Sequence, residues 1–255
     1  MQAILRPTTS VLSRSESRDL ARVVAATTLG FALYGFTTGF WRSPLMGLYV
    51  AVKMPLLIAC TLACNGLLNG LLGILLGSNL GFRQSLQALL SAFAISGLIL
   101  GSVAPVTFFL ALNAPPPDSP QAASAHAGYL LFHTAIIAIA GLIGLARLHG
   151  LLENYCPSRT SARTTLAAWV AGNAFLGAQF SWILRPFFGS PNLDVAFLRP
   201  DPLQGSFYEA VWRSSRHFID RVPPELLLAS IALILTACLI ARALLPHHAK
   251  PNSTP

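Results

Sequence analysis

The sequence predicts an all-α polytopic membrane protein, a bundle of about six transmembrane helices with a structured loop and an interfacial helix between the fifth and the sixth. Three observations predict it. The 255 residues are 54% hydrophobic and only 10% charged. An average soluble domain is roughly a quarter charged, so this chain has too little charge to coat a water-facing surface. Apolar runs near the ~20 residues that a bilayer core requires recur six times, at 23–40, 47–76, 87–112, 127–148, 165–184 and 224–245. The runs are continuously apolar and do not alternate, which argues against a transmembrane β-barrel.

Residues 1–22 are polar, with Arg6, Arg14, Arg18 and Arg22 against Glu16 and Asp19. They lack the short apolar core and small-residue cleavage site of a signal peptide, so the first run is expected to be a retained span. The expected organisation is a cytoplasmic tail (1–22), a membrane domain (23–245, with a cap loop and amphipathic helix at 185–223) and a second cytoplasmic tail (246–255). The positive-inside rule supports that orientation. Besides the tail arginines, Arg83, Arg147, Arg159, Arg163, Arg242 and Lys250 fall inside, against Arg42 and Lys53 outside. The fifth connection is the exception, with Arg185, Arg199, Arg213, Arg216 and Arg221. Acidic residues count little in the rule, so two readings stand: a folded outer segment that translocates despite its arginines, which we favour, or a fifth run that is not a simple span. The formal charge of +8 is scattered beside apolar runs and not gathered on a soluble module, so no nucleic-acid partner is expected.

The second run carries a polar stripe. Thr61, Asn65 and Asn69 recur every fourth residue and so share a helix face, which must meet another helix or a cavity. In the same stretch, Gly66 and Gly70, and Gly73 and Gly77, are spaced for close helix approach. A packing seam glued by asparagines is the plainer reading; a substrate or ion path is the other. Lys53 is near enough to the segment start to snorkel to the interface. Pro55 and Pro105 fall within or near the ends of the second and third runs, where they can kink a membrane helix. The third connection, "NAPPPDSPQAASAH", reads as an extended, solvated spacer.

In the fourth run His133 is the one imidazole well inside apolar sequence. It needs a hydrogen-bond partner there, and an interhelix bond is preferred to a proton relay. The fifth run carries the polar residues Asn173, Gln179 and Ser181, then Trp182 and Arg185-Pro186. Trp182 suits a membrane boundary and Pro186 disfavours helix at the residue before it, so "WILRP" reads as a stop.

The connection that follows, about 39 residues, exceeds ordinary loop lengths. Its first part is too apolar for a solvated loop: Phe187, Phe188, Val195, Phe197 and Leu198 need burial, and Gly189-Ser190-Pro191-Asn192 is a turn signature. A re-entrant or cap-like segment is expected, with Arg185 and Arg199 pairing with Asp194, Asp201 or Glu209. Convergence of the arginines would instead suit a phosphate or carboxylate headgroup. The second part places Phe207, Val211, Phe218 and Val222 at helical intervals, with Ser206 and Glu209 resembling a capping box. It reads as an amphipathic helix lying on the bilayer before the sixth span.

Chemistry-bearing motifs are scarce. The sequence has no G-x-S-x-G elbow, H-E-x-x-H, phosphate-binding loop or calcium loop. Cys60, Cys64, Cys156 and Cys238 show no zinc spacing. No catalytic residue, metal or cofactor is therefore expected. The segment "GAQFSWILRPFFGSPNLDVAFLRP", with "FYEAVW" after it, resembles an uncharacterised family of bacterial polytopic membrane proteins. The layout is also similar to Yip1-type membrane proteins. The first resemblance implies a bacterial inner membrane setting; neither brings an activity. The expected function is a non-enzymatic scaffold or accessory subunit that contacts membrane lipid, a membrane protein partner or a second copy of itself. The alternatives are a small transporter or channel using the Thr61/Asn65/Asn69 face, and an intramembrane lipid-modifying enzyme built on His133, His217 and a carboxylate.

Overall fold

A computed structural model describes residues 17–78 and 80–219. The expected sixth span, both terminal tails in large part, Asp220, Val222 and Cys238 lie outside the described residues. Within them the chain is helical: α1 (Ser17–Phe40), α2 (Pro44–Leu75), α3 (Phe82–Asn113), α4 (Ala122–Tyr155), α5 (Arg159–Ile183) and α6 (Phe207–Ile219). The first four are long and apolar enough to cross a membrane. The fifth forms a helix where a span was expected, yet its polar residues keep it out of that set. The count of six spans is thus not reached among the described residues.

The helices run past the apolar runs that announced them. The 32 residues of α2 rise about 48 Å at ~1.5 Å each, well beyond a ~30 Å hydrocarbon core. Ser43 starts this helix by accepting a hydrogen bond from the Met46 amide, with Pro44 following at the first turn, where its missing donor is not needed. Pro55 and Pro105 sit inside continuous helices. One correction concerns the third connection. Helix α4 already begins at Ala122, so the alanine-rich half is helix. The proline half is tied down, because Trp41 Nε1 donates to the Pro115 carbonyl at 2.9 Å.

The helices alternate in direction, and α1 packs between α2 and α3 through small residues. A Cβ on Gly35 would lie 2.6 Å from the Val50 carbonyl oxygen, and one on Gly39 would lie 2.6 Å from that of Met46. Glycine permits this backbone-to-backbone approach, which membrane helices use in place of a hydrophobic driving force. Helix α5 lies along α2 and α4, and its start is fastened to the end of α2 by Ser161 Oγ, which donates to the Leu76 and Gly77 carbonyls at 2.8 and 3.0 Å. The outer faces expose Leu29, Leu33, Leu67, Leu71, Phe109, Leu131 and Leu142, as expected where lipid is the solvent.

After Gln204 the chain divides into a second compact unit. Its described part is α6, in which Phe207, Tyr208, Val211 and Trp212 recur on one face. The Glu209 amide donates to Ser206 Oγ at 3.1 Å, half of the expected capping box. Arg213 pairs with Glu209 at 3.5 Å one turn away.

Candidate functional site

The polar residues singled out by the sequence gather in two places. One is the end of the bundle where α1, α3 and α5 finish and α2 and α4 begin. There α5 stops as "WILRP" predicts: the Leu184 amide closes on the Phe180 carbonyl at 2.9 Å, and the chain leaves through a cis Arg185–Pro186 bond. Gly189 has φ +67°, a conformation that favours glycine, and a Cβ there would lie 2.7 Å from Arg42 Cγ. The Leu193 amide then closes the predicted turn on the Ser190 carbonyl at 3.2 Å.

This path folds residues 185–204 back onto the bundle as a cap. Phe187 and Val195 pack on the cluster of Phe31, Tyr34, Met46 and Val50, and Phe188 packs on Trp41 and Tyr129. Phe197 meets Tyr49 edge-on at 5.4 Å. The expected burial is thus met in part: Phe187, Phe188, Val195 and Leu198 are half-buried, whereas Phe197 stays exposed.

A non-helical backbone that leaves water must find donors for its carbonyls. Two cations supply them. Arg42 donates from Nε to the Ser190 carbonyl at 3.2 Å and from Nη2 to that of Leu193 at 3.0 Å. Lys53 is fully buried; its Nζ donates to the Pro186 carbonyl at 2.8 Å and lies 5.0 and 5.9 Å from the ring centroids of Phe197 and Phe187. This corrects the snorkelling expectation, since the cap closes over the ammonium before it reaches water.

Arg185 sits over the Trp182 ring, its guanidinium carbon 3.5 Å from the centroid. Nη1 donates to the Trp182 carbonyl at 2.6 Å, while the buried Nε has no acceptor. Burial, and next the positive charge of Arg199, pull its pKa below the ordinary arginine value. The Trp182 indole donates to the Gln204 carbonyl at 3.3 Å, in an exposed position.

The expected carboxylate partners do not arrive. Asp194, Asp201 and Arg199 are exposed. Glu153 pairs with His149 at 4.0 Å and with Arg159 at 3.9 Å, at the opposite end. Backbone carbonyls compete for the cap's cations, and the aspartates keep their hydration.

Beneath the cap, His133 finds the interhelix bond that its position demanded. Its Nδ1 lies 2.7 Å from Tyr34 Oη and 3.4 Å from Thr38 Oγ1, and its Nε2 has no partner. The neighbouring Tyr129 hydroxyl donates to the Thr37 carbonyl at 2.7 Å. Sequence reasoning missed Tyr34, Thr38 and the cap-clamping role of Arg42. The first two look like ordinary apolar-run residues, and Arg42 was legible only as a topology charge.

The second place is the seam between α2 and α5. Thr61, Asn65 and Asn69 are buried along it, facing Thr165, Trp169, Gly172 and Gly177. A Cβ on Gly172 would sit 3.2 Å from Asn65 Oδ1 and 4.0 Å from Asn69 Oδ1; one on Gly177 would sit 3.9 Å from Thr61 Oγ1. The two glycines, five residues apart, are not a standard close-packing pair, yet both open the same antiparallel seam. Trp169 Nε1 donates to the Asn69 backbone carbonyl at 3.0 Å, while the carboxamides of Asn65 and Asn69 and the Thr165 hydroxyl have no partners. Asn173 donates to the Trp169 carbonyl at 2.7 Å. Its Oδ1 is buried without a partner, and Asn173 also lines a largely apolar cleft of about 290 Å³ between α3, α4 and α5, shared with Ser96, Gly144 and Leu148. Gln179 is half-buried, lower on α5. Cap and seam are therefore separate constellations, and no one site unites Arg185, Asn65 and His133.

No family model, curated protein or solved structure matches the chain.

Proposed function

We propose that the chain is a multi-pass, non-enzymatic membrane protein, a scaffold or accessory subunit whose capped end contacts lipid or a membrane partner. The observation that carries this reading is the use made of the buried polar groups. The Tyr34–His133, Tyr129–Thr37 and Trp169–Asn69 bonds all join one helix to another, and the face of α2 lies shut against α5. Such a bundle is built to hold its form, and among the described residues its elaborated surface is the cap. The arginine bias supports a cytoplasmic N-terminus and a cap on the outer side, and the likeness carried by residues 177–200 and 207–212 supports a bacterial inner membrane. Gentle detergent extraction followed by native mass spectrometry and in-membrane crosslinking tests the role. A retained lipid, a partner or a second copy is expected; a bare monomer by both methods overturns it.

One observation favours the transporter reading, namely the unpartnered carboxamides of Asn65 and Asn69. Buried amides without partners carry a penalty of roughly 1–3 kcal/mol, which a permeating solute or water would relieve. Cysteines substituted at these positions discriminate. Labelling by membrane-impermeant thiol reagents in intact membranes supports a path, and complete protection removes it.

A further inference from the structure

We propose that α6 is a surface anchor for an anionic leaflet: Val211 and Trp212, with Phe207 and Tyr208 beside them, enter the headgroup–acyl boundary, while Arg213 and Arg216 meet the lipid phosphates. Such an anchor does not depend on the scaffold role. It requires only that the four long apolar helices lie in a membrane.

Three features point to that partner. First, the apolar face is open. Trp212 is 67% and Val211 46% exposed. Phe207 and Tyr208, set edge-on to each other at 5.5 Å, are exposed as well. At ~100° per residue the four side chains share an arc of about 140°. An exposed aromatic patch of this kind marks an interaction surface. Tyrosine and tryptophan, each with an apolar body and a polar tip, suit the boundary between water and hydrocarbon.

Second, positive charge borders the patch. Arg216 stands one turn on from Trp212, at the edge of the arc, and Glu209 and Arg213 follow around the wheel. All three are exposed. Helix α6 contains one acid, Glu209, and Arg213 pairs with it at 3.5 Å. Two arginines against one carboxylate leave the polar face net positive. Arginine stems can lie along apolar surface while the guanidinium reaches phosphate. A lipid leaflet therefore offers both surfaces that α6 asks for, hydrocarbon for the aromatic arc and phosphate for its basic border.

Third, the chain holds α6 near a membrane. Ile219 is five residues from Pro224, where the apolar run 224–245 begins. Five residues reach at most about 17 Å when fully extended, so the end of α6 stays within reach of the headgroups of whatever bilayer that run enters.

The test uses the full chain with Cys60, Cys64, Cys156 and Cys238 replaced by alanine. A nitroxide is attached through Val211→Cys or, on the opposite face, Arg213→Cys. Each protein is reconstituted into vesicles of phosphatidylcholine alone or mixed with phosphatidylglycerol, and collisions with oxygen and with a water-soluble nickel chelate are read by electron paramagnetic resonance. At position 211 oxygen is expected to dominate, and at position 213 the nickel chelate. The ratio of membrane-bound to water-exposed label at 211 is expected to rise about fivefold with phosphatidylglycerol, the effect of one arginine near an anionic surface. Adding Arg213→Gln/Arg216→Gln to the Val211→Cys protein should abolish that rise. If this variant does not fold, raised salt on the Val211→Cys protein replaces it, since screening removes the same attraction. A label at 211 that is open to both reagents in both lipids overturns the anchor. So does one shielded from both, as in a contact with the bundle or with a second copy. A bound label whose ratio ignores lipid charge overturns the anionic preference.

Discussion

Replacing Gly35 by alanine tests the glycine-built crossing of α1 and α2 most directly. The added Cβ would lie 2.6 Å from the Val50 carbonyl oxygen, 2.9 Å from Met54 Cγ and 3.0 Å from the Val50 carbonyl carbon. Ordinary contact is roughly 3.5 Å, so the helices must part by close to an ångström. Two of the three neighbours are backbone, which no rotamer change can move. Overpacking of this kind costs about 1–3 kcal/mol, against a gain of about 0.5–1 kcal/mol from replacing glycine inside a helix. The net loss of ~1–2 kcal/mol corresponds to a fall in Tm of roughly 2–8 °C for a chain of this size. Two internal standards fix the interpretation. At Gly66 the nearest atoms are side-chain carbons at 3.5 Å and beyond, and at Gly150 nothing lies within 4 Å. Thermal melting of the purified protein in one detergent should therefore rank Gly35→Ala below wild type, Gly66→Ala near it, and Gly150→Ala at or above it. A Gly35→Ala protein melting at or above wild type would refute the close crossing.

Other perturbations have equally definite outcomes. Tyr34→Phe removes the hydroxyl 2.7 Å from His133 Nδ1 and should cost about 1–3 kcal/mol by stranding a buried imidazole; adding His133→Phe should recover much of it in the melting temperature. Trp169→Phe deletes the donor to the Asn69 carbonyl and should lower stability by about 1 kcal/mol, read as a Tm decrease. Lys53→Met keeps the volume but frees the Pro186 carbonyl, so the bundle should stay folded while limited proteolysis within residues 190–204 speeds up. Burial raises the Cys156 thiol pKa above its ordinary value, partly offset by a hydrogen bond with Ser161. With Cys60, Cys64 and Cys238 replaced by alanine, alkylation of Cys156 near pH 8 should lag behind a small free thiol and catch up only at higher pH, as the thiolate forms.

Much of the helical plan was legible because it follows from local rules. Continuous apolar runs become helices, Pro186 ends one of them, and Gly189 with Pro191 makes the turn that brings the chain back. The need of His133 for a bond was legible too, since a polar ring in hydrocarbon has few choices. What stayed hidden depends on which helices become neighbours. Tyr34 lies 99 residues from His133, Arg42 reaches Leu193 across 151 positions, and no periodicity links either pair. The expected ion pairs failed for a related reason. Charge pattern names candidate partners, but Arg185 donates to a backbone carbonyl of its own helix, that of Trp182, which a reading of side chains does not see.

The seam of α2 and α5 has a consequence for biosynthesis. Helix α2 emerges from the ribosome long before its cover: Asn65 and Asn69 enter the bilayer some hundred residues ahead of Trp169, the residue that caps the Asn69 carbonyl. Helix α5, for its part, is not apolar enough to count with the first four. Helix α2 is apolar enough to enter lipid alone but carries a polar stripe, and α5 supplies the face that covers it. The α2 face that α5 covers is therefore synthesised well before its cover, and integration of α5 is expected to depend on that face. A chain whose α2 groove is made apolar should leave α5 stranded at the insertion machinery, whatever its own sequence.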